Sequence, residues 1–378
     1  MPLKGIRVLE MAGLAPSPFC GMVLADFGAK VIRIDKPSGT GDMDCLKNGK
    51  RSLAVDLKKP KGVEIIKKLS MKSDVLIEPY RRGVMEKLGL GPNVLTAENP
   101  RLIYLRLSGF GHTGSYSRKA GHDINFLALS GVLSFLGRKG ENPLPPCALL
   151  GDFGGGGLIS TVGVLLALIE RSKSGMGQVI DSPIVDGTAY LFSWLFRSQK
   201  LPIWGNPRGE NMLDTGSHFY ETYKTKDGKY VAVGAIESRF YDELIAKLGE
   251  KGLEDQFADF EEKKKILTKI FATKTRDEWC TVFQDSDACF SPVLELSDVA
   301  EFSHNKEREV FLHTNEGIVP KPAPNLTRTP GKSSALSPSA ENGADTENIL
   351  LELGYTEEEI NDLEHEGVIK VVCRLSKL

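Results

Sequence analysis

Between residues 6 and 110 short apolar runs recur with helical stretches between them, and this alternation limits the fold more than any other feature of the chain. IRVLE at 6–10, VIRID ending at Asp35, DVLIE at 74–78 and LIYLRLSGF at 102–110 read as short buried strands. A Pro-marked turn at Pro16 and Pro18 leads into a helix through CGMVLADFG that stops at Gly28. PKGVEIIKKLS at 60–70 is an amphipathic helix with proline in its first turn. Strands alternating with helices imply an α/β domain with a doubly wound parallel sheet and crossover helices. Ligands of such sheets bind beyond the carboxyl ends of the strands. The residues leaving those ends are Asp35-Lys36-Pro37, Pro79-Tyr80-Arg81-Arg82 and Ser108-Gly109-Phe110.

The turn after the first strand, GLAPSPF, has no GxGxxG, and no P-loop occurs, which argues against a nicotinamide, flavin or P-loop enzyme. Lys36, Arg81, Arg82 and Lys87 could instead meet the phosphates of a nucleotide-bearing ligand. Taken singly, each is more readily explained as solvated surface. A net charge of −2 gives no nucleic-acid footprint. No apolar run approaches the length of a bilayer span, so no membrane span is expected. Six cysteines (20, 45, 147, 280, 289 and 373) lie scattered without CxxC or His/Cys clusters, which argues for a reducing compartment and against a zinc site. No signal-peptide layout opens the chain. It closes on Ser376-Lys377-Leu378, the receptor-read peroxisomal address, so import into the peroxisome through its receptor is expected, with a mitochondrial pool left open.

The stretch from 121 to 157 carries the chemistry. His122 precedes the apolar run FLALSGVLSFL, and Asp152 with Gly154 to Gly157 precedes LISTVGVLLALIERSKSG. Both lie near helix starts, where free N–H groups and the dipole favour negative charge. Such a pair can remove and return a proton on opposite faces of one carbon while helix N-termini hold the charge that develops. Capping accounts for an Asp or His there as simply, and glycine runs often only permit close packing.

Beyond a largely helical stretch at 158–198, broken by QVIDS, residues 200–217 turn irregular and lead into a smaller α+β domain. HFYETYKT, an Asp227-Gly228 turn and YVAVGAI form a hairpin, followed by Glu237 and the helix SRFYDELIAKLGE. Helices follow at about 259–273 and 275–284, the second opened by a Thr275-x-x-Glu278 capping box. EEKKK at 261–265 reads as a solvated helix face, and 322–345 as a Pro/Ser/Gly-rich surface linker. The expected division is a large domain over 1–200, a linker at 201–217, a small domain at 218–310, a returning linker at 311–345, and 346–378 as two helices docking on the large domain plus the targeting tail.

The motifs GLAPSPFCGMVLADFGAKVIRIDKP, KRSLAVDLK, SDVLIEPYRRGVMEKLGLGP, AGHDINFLALSGVLS, GDFGGGG, GQVIDSPIVDGTAYL and VGAIESRFYDELI together resemble family III CoA-transferases. Within that family they are similar to the branch that racemises 2-methyl-branched acyl-CoA thioesters, such as those of branched fatty acids and bile-acid intermediates. The resemblance implies an interlocked homodimer, with each active site shared between one subunit's large domain and the other's small domain. It implies His122 as the base for the (S) epimer, Asp152 for the (R), and a partner-supplied Glu237 that hydrogen-bonds the histidine, though Glu237 could equally cap its helix. It places CoA contacts at Lys36, Arg81 and Lys87, with CoA as part of the substrate and no separate cofactor. Two alternatives stand beside it. One is a transferase with Asp152 as acyl-accepting nucleophile; the other is a non-catalytic CoA-ester binding protein.

Overall fold

Six parallel strands, β1 (Arg7–Met11), β2 (Lys30–Asp35), β3 (Arg51–Val55), β4 (Val75–Glu78), β5 (Ile103–Ser108) and β6 (Val179–Pro183), lie in the order β3-β2-β1-β4-β5-β6. The order turns back between β1 and β4, which opens a crevice at their carboxyl ends. A two-residue strand, Ile369–Lys370, adds antiparallel beside β3. The computed structural model describes residues 1–38, 43–250, 252–339 and 341–372; the Ser376-Lys377-Leu378 tail lies outside them.

Period-two alternation divides the sheet's side chains between two cores. Leu9, Met11, Leu53, Leu76 and Tyr104 face one, and Val8, Val31, Ile77, Ile103 and Leu105 the other. All six residues of β5 are buried, as expected of a parallel strand covered on both faces. The covering helices are α1 (Pro16–Asp26), α2 (Pro60–Met71), α3 (Val84–Lys87), α4 (Pro92–Glu98), α5 (Asp123–Leu129), α6 (Ile159–Ser174) and α7 (Ile184–Leu191). The sequence places the first helix after its prolines, whereas α1 begins at Pro16. A helix's first turn needs no N–H, so both prolines fit inside it. Strand β3 has no counterpart in the sequence reading. RSLAV is short and opens on a charge, and its place is set by tertiary partners such as the 2.6 Å bond from Ser52 to the Asp35 carboxylate.

These elements belong to one compact unit, Met1–Ser130, Pro146–Phe192 and Leu312–Leu378. The helices Thr346–Leu353 and Glu357–His365 supply Ile349, Leu350, Ile360 and Leu363 to its core. The segment read as a linker at 322–345 is fastened to the same unit. Lys332 donates to the Asp26 carbonyl, Ser334 to the Asp26 carboxylate and Asn342 to the Lys36 carbonyl.

Together with the residues before it, α6 forms one helix over Leu149–Ser174, long and apolar enough by length and composition to cross a bilayer. This corrects the expectation that no such run exists. The glycines and Asp152 disguise its continuity in the sequence. One face, with Ser160, Thr161, Val164, Ala167 and Arg171, is buried, while Leu158, Val162, Leu165, Leu166 and Ile169 are exposed.

The second unit comprises Gly131–Pro145 and Ser193–Phe311, so it begins before the expected 201–217 linker and also takes in a segment the sequence left in the large domain. It holds a three-stranded antiparallel sheet of β7 (Tyr220–Lys224), β8 (Tyr230–Gly234) and β9 (Phe290–Val293). With it go helices α8 (Ser193–Arg197), α9 (Ser238–Leu248), α10 (Phe260–Phe271) and α11 (Arg276–Val282). Thr275 and Glu278 form the expected capping box. Lys263, expected on a solvated face, is buried, with its ammonium on the Asp255 carbonyl.

Candidate active site

His122 occupies the N-cap of α5 with extended backbone (φ −128°, ψ 177°). The Asn125 side-chain oxygen accepts from the His122 N–H at 3.1 Å, and this reciprocal bond sets where the helix starts. The imidazole-bearing residue is exposed, whereas Asp123 beside it is buried.

Asp152 lies in a ten-residue π-helical segment, Leu149–Leu158, that runs straight into α6. Five of those ten residues are glycines, which hold an α-helix poorly and leave the backbone free to widen. They also let other elements close in. A Cβ on Gly155 would lie 2.6 Å from the backbone N of Thr188 on α7, and Gly156 and Gly157 abut α1. Cys147 and Ala148, just ahead of the segment, adopt left-handed φ of 50° and 61°, the kind of strained entry that clusters at functional sites.

The two segments meet through Asp123. Its Oδ1 accepts from the backbone N–H of both Gly151 and Asp152, each at 2.8 Å. The sequence gives no sign of this residue's role, since an Asp just inside a helix start ordinarily serves the dipole. The half-buried Asp152 carboxyl is pushed up to about 6 by burial first and the Asp123 charge second. His122 is close enough for its protonated form to oppose part of that rise. A carboxyl so placed exchanges protons near neutrality, as a general acid–base group requires. Because the amides of Gly151 and Asp152 are taken by Asp123, the π-helical start does not offer them to a developing negative charge. The expectation that both helix starts do so is corrected to α5.

The expected CoA contacts share one edge of the sheet. Lys36 follows β2, Arg81 and Arg82 follow β4, and Lys87 ends α3, all exposed. Among the described residues, Lys36, Arg81 and Lys87 form no ion pair. Under them lies a cluster the sequence reading missed. Arg106 on β5 binds the fully buried Glu78 at 2.6 Å and Glu86 on α3 at 2.8 Å. Burial pushes Glu78 up to about 7, and its Oε1 lies 4.0 Å from His112 Nε2. A glutamate and an arginine inside two apolar strands were the available signal. The cluster binds the ends of β4 and β5 to α3 and so steadies the loop that carries Arg81.

Glu237 belongs to the second unit, at the N-cap of α9, exposed and making no capping bond. Capping therefore does not account for it. Among the described residues no group of three or more His, Cys, Asp or Glu is placed to hold a metal, and the described cysteines are free.

Comparison with known proteins bears on the chain as a whole. The chain is 53% identical over 376 residues to the alpha-methylacyl-CoA racemase of Homo sapiens and likewise to that of Mus musculus, covering 98% of each chain in both cases. Its fold matches the crystal structure of a CAIB/BAIF family protein from Brucella suis with a TM-score of 0.81 at 24% identity, over 93% of this chain and 99% of that one. The family model for CoA-transferase family III matches residues 3–346, and the chain belongs to that family.

Proposed function

We propose that this chain is a racemase of 2-methyl-branched acyl-CoA thioesters, working by two-base exchange of the α-proton through an enolate. The observation that carries the reading is the 53% identity to alpha-methylacyl-CoA racemases along almost the whole of both chains. The two bases are His122 and Asp152, brought from different segments to the same place through Asp123. In one direction the Asp152 carboxylate takes the α-proton while the His122 imidazolium gives one to the opposite face. In the other, neutral His122 takes and the Asp152 acid gives. His122 serves the (S) epimer and Asp152 the (R). The enolate oxygen is met by the Asp123 and Ile124 amides at the start of α5, since those of Asn125 and Phe126 already donate to the His122 carbonyl. Lys36, Arg81 and Lys87 hold the CoA phosphates at the carboxyl edge.

The reaction needs no metal or redox cofactor. The working form is a homodimer in which Glu237 of a second copy fixes the tautomer of His122, and the exposed apolar face of α6 is the surface available for that association. Ser376-Lys377-Leu378 directs the protein to the peroxisome.

Incubation of (R)-2-methylacyl-CoA in deuterated water, followed by mass and chirality, tests the reading. Wild-type enzyme should yield both epimers with deuterium at the α-carbon. His122→Ala and Asp152→Ala should each slow interconversion by about 10²–10⁴-fold. The Asp152 variant should still exchange deuterium into the (S) epimer, and the His122 variant into the (R). Trapping of Asp152 as a hydroxamate by hydroxylamine, without α-deuterium in the product, would assign a transferase instead.

A further inference from the structure

A racemase with two bases alternates between two resting forms. After taking a proton from one epimer it holds a protonated Asp152 and a neutral His122; after the reverse turnover, the opposite. Both forms carry the same number of protons, so pH does not change their ratio. Only the difference in proton affinity between the two groups does. An ordinary Asp near about 3.9 set against an ordinary imidazole near about 6.5 would leave only about one molecule in 400 able to give a proton from the carboxyl. The enzyme would then be well prepared for one epimer and poorly for the other.

Resting on the assignment of Asp152 as a base, we infer that Asp123 is a positioning residue that equips Asp152 to act in both directions. Its buried carboxylate fixes the Gly151–Asp152 backbone against the start of α5. As a second negative charge beside Asp152, it lets that carboxyl return a proton as readily as it takes one.

The geometry leaves little freedom. Asp123 is only 5% exposed and its Oδ1 receives two amides at 2.8 Å. A Cβ on Gly151 would crowd that same oxygen at 2.5 Å, so the glycine is what permits the approach. Of the elements packed on the π-helical segment, α1 carries Cys20 and Asp26, α7 carries Asp186 and Tyr190, β5 carries Tyr104 and Arg106, and α6 has its charges at the far end. The charges that act on the Asp152 carboxyl are those of Asp123 and His122. Burial and the Asp123 charge raise it to about 6, against partial opposition from His122. That places the carboxyl where it can both hold and release a proton near neutrality. A residue that only held the backbone could do so with a neutral oxygen. The charge is what distinguishes the two roles.

Asp123→Asn separates them, since the amide oxygen can still accept from Gly151 and Asp152 while the charge is gone. The acid limb of the kcat/KM–pH profile should move about one pH unit lower, with the thermal midpoint close to wild type. Asp123→Ala should lower both the rate and the thermal midpoint. An unmoved acid limb in a folded Asn variant overturns the inference. In the unaltered chain, carboxyl ¹³C titration of Asp152 should give a midpoint near 6. A midpoint near about 3.9 would overturn the inference without any variant. Asp152→Ala serves as the control. If it still exchanges the (R) α-hydrogen at the wild-type rate, the assignment of Asp152 as a base fails, a result distinct from an unmoved limb in Asp123→Asn.

Discussion

Replacing Gly155 by alanine adds one methyl group and should cost the protein both stability and rate. The new Cβ would lie 2.6 Å from the Thr188 backbone N and would also overlap its Oγ1. Carbon in contact with such atoms ordinarily keeps about 3.5–4.0 Å, so α7 and the π-helical segment must separate by about 1 Å. Thr188 is fully buried and its hydroxyl is already bonded to the Ile184 carbonyl, so it cannot simply turn away. Overpacking of this kind costs about 1–3 kcal/mol. In domains of about 150–250 residues that lowers the thermal midpoint by about 2–12 °C. Gly155 lies three positions after Asp152, and a shift of about 1 Å at a reacting group can reduce rate about 10²-fold. The same change at Gly163, one helical stretch further on, is the contrast. There the nearest atom, Ile180 Cγ2, is 3.4 Å away, and alanine in a helix interior favours folding by about 0.5–1 kcal/mol. By differential scanning calorimetry the two thermal midpoints should therefore move in opposite directions, with α-deuterium incorporation slowed only by the change at 155. A Gly155→Ala chain that melts with wild type and keeps full exchange would show that close packing does not hold Asp152 in place.

Two further outcomes concern the same site and a third the targeting tail. The Asp152 carboxyl is raised to about 6 by burial, so stability should fall as pH rises from about 3.9, where the unfolded group ionises, and level off above the folded value. Asp152→Asn should then melt higher than wild type at pH 8 and converge with it near pH 4; a pH-independent difference would contradict the argument. Co-expression of Glu237→Ala and His122→Ala chains should restore part of the activity if each site draws Glu237 from a second copy, and verified heterodimers without activity would exclude a shared site. Removing Leu378 should leave racemisation intact but disperse a tagged protein through the cytosol, whereas unchanged puncta would place the address elsewhere.

Much of the first unit is legible in the sequence because its signals are local. Apolar runs such as DVLIE and LIYLRLS mark strands buried on both faces, and proline at a first turn marks a helix start. His122 and Asp152 stand out for the same reason, each beside a long apolar run. Strand β3 is not legible, because RSLAV is held by partners distant in sequence such as Asp35 and Asp345. The continuity of Leu149–Ser174 is equally hidden, since glycines that interrupt a helical pattern on paper are those that let a widened helix form against α1 and α7. The chain alone determined which residues could exchange a proton. The tertiary structure decided that Asp123 reaches across 28 and 29 positions to the amides of Gly151 and Asp152, placing a second charge beside the carboxyl. A residue's type is written in the sequence, but its proton affinity depends on burial and neighbouring charge, which exist only once distant segments have been packed together.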